Sequence, residues 1–148
     1  MKRNKGLHSL SHDHHHGLLL AQLIKKGSPR YPNLPKTTKG KVDYTLRFYN
    51  NELIRHFESE EHILFKIVYG RNWELDSLID ELKSEHKKIK SLVGELKECN
   101  EKEICLDKLG NLLEKHIRKE ERKVFNLIEK QLSEEELKNI GEQLIKSI

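Results

Sequence analysis

The sequence has too few cysteines to be held together by them. Cys99 and Cys105 are the only two in 148 residues, so a disulfide framework is excluded, and reduced thiols in a cytoplasmic setting are expected. No run of 18 apolar residues exists to span a bilayer. The longest apolar stretch, Leu18-Leu19-Leu20-Ala21, follows three histidines and has no small-residue cleavage site after it, so it does not read as a secretory leader. Proline is scarce and confined: Pro29, Pro32 and Pro35 sit within one extended connection. There is no Gly-rich phosphate loop, no Ser-His-Asp arrangement, no His-Glu-x-x-His and no Glu-x-x-His. The formal charge is +4, but basic and acidic residues alternate on every segment, as in Lys119-Glu-Glu-Arg-Lys123. That is a solvated face, not a stripe aimed at phosphates, so no nucleic-acid partner and no membrane partner are expected.

What the chain does have is helix-forming residues at three- and four-residue spacing. The pattern predicts an all-α fold: helices over about 9–26, 41–68, 73–98 and 104–131, joined by the proline connection and by turns at Gly70-Arg71-Asn72 and Asn100-Glu101. Ser133-Glu-Glu-Glu136 is a capping box that opens a short fifth helix, about 133–147. Its Leu137, Ile140, Leu144, Ile145 and Ile148 either cap the bundle or meet a second copy, so a homodimer stays open. Short connections between long amphipathic helices imply an up-down antiparallel four-helix bundle, read as a single domain over 1–148.

The unusual feature is nine histidines. The inward seams are apolar except at one point each: His14 in helix 1, His56 and Glu60 in helix 2, His86 in helix 3, and His116 and Glu120 in helix 4. In antiparallel neighbours, residues equidistant from the turn share a depth. His56 and His86 are centred on residue 71, His86 and His116 on 101, and His14 and His56 on 35, each in a connection. The four histidines therefore form one layer, with Glu60 and Glu120 one turn further along, about 6 Å at 1.5 Å per residue. Burying these groups unpaired is costly. Imidazole and carboxylate together suit iron, zinc or manganese, and two carboxylates flanked by histidines suit two metals sharing a site. Outside the layer, His62 is expected at an interface or at the surface, and His8 precedes the first helix. Glu61 and Glu121 are expected to face solvent, and Tyr49 to pack in the core or donate to the site.

At these residues the chain resembles the hemerythrin-like HHE cation-binding family. The elements are Leu-Ser-His-Asp-His-His-His-Gly-Leu in helix 1, His56-Phe-Glu-Ser-Glu60-Glu, Glu85-His86-Lys-Lys-Ile89, and His116-Ile-Arg-Lys-Glu120-Glu. The resemblance implies two iron ions in an oxo- or hydroxo-bridged non-haem centre. His14, His56, His86 and His116 would be terminal ligands and Glu60 and Glu120 would bridge. Oxygen carriers of that family place a fifth histidine on helix 3, where this chain has Leu82, and often use Asp with longer spacing on helix 4. A fifth ligand is therefore expected from His15, with His12 and His16 as alternatives. Three functions fit: a di-iron protein that binds or reacts with dioxygen, peroxide or nitric oxide; iron handling or repair of damaged iron centres; and an interaction module stapled by metal. Whether the protein is an enzyme is left open by the sequence, and any activity would be redox chemistry at that centre.

Overall fold

The computed structural model describes residues 2–147, so Ile148 lies outside the described residues. Among the described residues there is no strand. A 3-10 turn, Lys5–Leu7, leads into α1, His8–Ile24. One continuous helical rod, α2, runs over 38–68, followed by α3, Trp73–Glu95, a second rod α4 over 102–131, and α5, Glu134–Lys146. The starts are written in the sequence. Thr37 caps α2 by accepting from the Gly40 N–H, Asn72 caps α3 by accepting from Leu75, and Ser133 and Glu136 close the expected capping box on α5. Among the described residues no helix is long and apolar enough to cross a membrane.

Side-chain pairs fix direction. Along α1 and α4, the backbone N–H of Lys26, just past α1, donates to Asp107, Lys25 pairs with Glu114, His14 with Glu121, and Arg3, just before α1, with Glu129. One number falls as the other rises, so the two helices run antiparallel. They approach closely because Gly110 has no side chain: a Cβ there would lie 3.0 Å from the Ala21 carbonyl oxygen. Two apolar clusters fill the interior, one around Leu20, Ile24, Ile89, Leu109 and Leu113, the other around Leu10, Phe65, Leu82, Phe125 and Ile140. The predicted polar layer lies between them.

The helices are less regular than their periodicity suggests. Residues Tyr49–Leu53 and Glu60–Leu64 in α2, and Glu120–Val124 in α4, are π-helical. A π turn carries one residue more than the α repeat, and the buried seam slips accordingly. The sequence seam leads from Glu60 to Leu64 and Ile67, and from Glu120 to Val124 and Leu127. In the structure Val68 and Ile128 are fully buried, while Ile67 and Leu127 are only partly so.

The fifth helix caps the chain's own core. Leu137, Ile140 and Leu144 are buried in the cluster with Leu7, Leu10 and Phe65, whereas Ile145 is exposed. The N-terminal turn packs directly on this helix: a Cβ on Gly6 would stand 2.2 Å from the Leu137 carbonyl oxygen, and one on Gly141 would stand 2.9 Å from Gly6 Cα.

One expectation is corrected. Cys99 and Cys105 are joined as a disulfide and are not free thiols. Cys99 lies within the α3–α4 connection and Cys105 in the first turn of α4, six residues on, so the helix start folds one sulfur back onto the other.

Candidate metal centre

Seven residues were expected to bind metal, and the structure brings six of them together. His14, His56, His86 and His116 are each at most 5% exposed, and Glu60 and Glu120 are completely buried. The seventh, His15, is left out: it is exposed on α1 with its ring beside that of His16. Adjacent helical residues point about 100° apart, so with His14 facing inward His15 faces outward. Leu82, one turn before His86, is fully buried and supplies no ligand atom.

The inner atoms form two overlapping sets. His14, His56, Glu60 and Glu120 offer ligand atoms all within 4.8 Å of one another, and so do Glu60, His86, His116 and Glu120. The two carboxylates belong to both sets. His14 Nε2 lies 2.6 Å from Glu120 Oε1, while His56 Nε2 and His86 Nε2 each lie 3.2 Å from Glu60. None of these approaches has the alignment of a hydrogen bond. All four Nε2 atoms and all four carboxylate oxygens are buried without a hydrogen-bond partner. Such groups cost about 1–3 kcal/mol each when left unsatisfied. Eight of them converging in one buried layer, all nitrogen and oxygen donors, fit metal binding.

The outer nitrogens show a second order. His56 Nδ1–H donates to Asp13 at 3.0 Å, His86 to Glu61 at 2.6 Å, His116 to Glu85 at 2.8 Å and His14 to Glu121 at 2.6 Å. Each acceptor comes from the preceding helix: α1 holds the histidine of α2, α2 that of α3, α3 that of α4, and α4 closes the ring on α1. Ionised carboxylates only accept, so each ring keeps a proton on Nδ1 and turns Nε2 inward, and once that nitrogen gives up any proton its lone pair is the one a metal ligand needs. Glu61 and Glu121, expected to face solvent, instead hold ligands. The signal was present as the dipeptides Asp13-His14, Glu60-Glu61, Glu85-His86 and Glu120-Glu121, each an inward ligand next to an acid. Sequence alone gave no reason to aim that acid at a neighbouring helix.

Aromatic rings wall the layer. Phe57 stacks on His86 with ring centres 3.9 Å apart, and Phe125 on His14 at 5.4 Å. A cavity of about 10 Å³ opens beside His14, His56 and His116, lined by Phe48, Leu53, Leu113 and Ile117. That is the room the centre of one water-sized molecule needs. Gly17 keeps the wall thin, since a Cβ there would meet Ile117 Cδ1 at 2.7 Å. Tyr49 packs in the neighbouring apolar cluster, and His62 is exposed as expected.

In the absence of metal the centre binds protons. Burial and the facing charge of Glu60 raise the Glu120 carboxyl to about 8. For His56 burial acts downward, but the Glu60 and Asp13 carboxylates outweigh it and raise the imidazole to about 9. His14 is raised well above its ordinary value by Glu120 and Glu121, again against burial. His116 is the exception: burial lowers it, so it stays neutral and donates Nδ1–H to Glu85.

The family described as the Hemerythrin HHE cation binding domain matches residues 5–128. No curated protein and no solved structure matches the chain.

Proposed function

Since the chain belongs to the hemerythrin HHE cation-binding family, we propose that it is a non-haem di-iron protein that binds or reacts with a small oxidant: dioxygen, peroxide or nitric oxide. The observation that carries this reading is the sharing of Glu60 and Glu120 between two ligand sets. Two carboxylates held in common suit two ions a few ångströms apart better than one. His14 and His56 would hold one iron and His86 and His116 the other.

A bound iron pair supplies reversible one- and two-electron chemistry toward small oxidants. The chain's own part is to hold and shield. The four carboxylates outside the histidines fix the ring tautomers, and Phe57 and Phe125 keep the layer dry. The small cavity between Gly17, Phe48, Leu53 and Ile117 has room for about one water-sized molecule beside the layer. Four histidines and two glutamates leave coordination positions unfilled if each iron takes five or six ligands, and the cavity adjoins three of those histidines. As scaffold we infer an up-down antiparallel four-helix bundle of α1–α4 in one domain, supported by the pairing pattern of α1 with α4 and capped by α5.

Iron handling or repair of damaged iron centres is the second reading of the same ligands. The third is a bundle stapled by redox-inert metal. Elemental analysis of protein purified without chelator, paired with optical spectra of aerobic and reduced samples, separates them. Two irons per chain and visible absorption that changes with oxygen support the first reading. A colourless zinc protein unaffected by oxidant overturns both iron readings. Glu60→Ala and His116→Ala should lose metal in the same assay, and full occupancy in both would overturn the ligand assignment.

A further inference from the structure

Five histidines take no part in the buried layer, and two of them are one turn apart on the exposed side of α1. The rings of His12 and His16 are 4.7 Å apart between centres. That spacing lets two imidazoles four residues apart on a helix bind one ion. Across from them His16 Nδ1 lies 3.4 Å from Glu52 Oε1 of α2. Glu52 therefore braces His16 through Nδ1, and the two imidazoles are a donor pair for a divalent transition metal.

The position of this trio gives it a role. His12, Asp13, Glu52 and His56 line an open groove of about 410 Å³ between α1 and α2. Asp13, Glu52 and His56 also line the small cavity at the buried layer. Groove and cavity are therefore the two sides of one wall, and His56, a ligand of the centre, faces both. Asp13 is also the most exposed of the four carboxylates that hold ligand histidines, at 47% against 17–33% for the others. Arg55 lines the groove too, so the carboxylates of Asp13 and Glu52 are what keep it attractive to a cation.

We propose that His12 and His16, with Glu52 bracing His16, form an exposed divalent-metal site at the mouth of the route into the buried centre, where an incoming ion is held before it passes Asp13 to His56. The delivery role rests on reading the buried cluster as a metal centre; the exposed site does not. Holding an ion beside the entrance raises its local concentration, and loading should accelerate by about tenfold, the low end for focused charged ligands.

The test uses the full chain with two probes. Anaerobic stopped-flow absorbance follows Co(II) entering metal-free protein, and equilibrium dialysis counts Ni(II) taken up by protein already loaded at its buried centre. The His12→Gln/His16→Gln double variant should load Co(II) about tenfold more slowly yet reach the same final absorbance. The loaded wild type should take up one further, readily removed Ni(II) that the double variant does not. His15→Gln, a neighbouring exposed change, should match wild type in both. Equal loading rates overturn the delivery role, and absence of the extra Ni(II) from wild type overturns the site. Failure of the buried centre itself reads differently: wild type would then retain no tightly held Co(II). Glu60→Ala, which lacks the buried carboxylate, should still bind Ni(II) at the exposed pair, and loss of that Ni(II) would also overturn the site.

Discussion

The Glu85 carboxylate accepts the Nδ1–H of His116 at 2.8 Å on one oxygen and the Lys119 ammonium on the other at 2.5 Å. Burial alone would raise this carboxyl. The bonds from His116 and Lys119 outweigh it and hold Glu85 down at about 2. It is therefore ionised across the physiological range and keeps the His116 ring turned with Nε2 toward the centre. Asp13, Glu61 and Glu121 accept the Nδ1–H of His56, His86 and His14 in the same way.

Weakening that ring of carboxylates should weaken the centre without unfolding the protein. Glu61→Gln, Glu85→Gln, Glu121→Gln and Asp13→Asn each remove the charge that fixes one imidazole. Each should lower metal affinity by about 10- to 100-fold, as loss of a partner behind a ligand does. Competition against a chromophoric chelator with Co(II) measures this, and circular dichroism checks the fold. Unchanged affinity in all four would remove the positioning role.

Stripped and loaded protein should respond oppositely to pH. His56 at about 9 and Glu120 at about 8 both bind protons more tightly folded than unfolded, where 6.5 and 4.5 are ordinary. Each stabilises the metal-free fold fully below its unfolded value and loses that contribution as pH climbs through its folded value. Tm of the stripped protein should fall between pH 6 and pH 9. Metal must displace those protons, so apparent affinity should rise over the same interval, and loading at pH 7 should release about two to three protons per chain into a dye-monitored, weakly buffered solution. A stripped protein that gains stability toward pH 9 would contradict the assignment.

Gly6 should tolerate no side chain. Its missing Cβ is what lets the N-terminal turn rest on the Leu137 carbonyl of α5, and backbone cannot move aside as a side-chain end can. Gly6→Ala should cost about 1–3 kcal/mol, the range for overpacking, read as a lower urea midpoint. Metal content should be retained, because the contact lies in the α5 cap and not in the ligand layer.

Reduction of Cys99–Cys105 should lower stability and spare the centre. The bridge closes a loop of only six residues' separation, worth about 2 kcal/mol in the chain-entropy account. Cys105 is eleven positions before His116 on α4, about 16 Å along the helix at 1.5 Å per residue. Thiol titration and thermal unfolding with and without reductant should show two thiols appearing, a lower Tm and unchanged metal stoichiometry. Metal loss on reduction would mean that the α3–α4 turn also sets the ligand layer.

Much of this was legible before any coordinates. The sequence by itself determined that the chain is helical, which face of each helix turns inward, and that His14, His56, Glu60, His86, His116 and Glu120 interrupt those faces. Periodicity and distance from the turns are local quantities, and a buried seam writes them directly into residue order. Tertiary structure decided what lies one residue off the seam. A side chain next to a ligand points about 100° away, which between packed helices is toward a neighbour and not toward water. Asp13, Glu61, Glu85 and Glu121 thereby hold another helix's histidine, while His15, with no helix opposite it, faces outward. The π turns at Glu60 and Glu120 were hidden for a related reason. A one-residue slip leaves the pattern nearly unchanged in sequence, and only packing shows that Val68 and Ile128 have taken the places of Ile67 and Leu127.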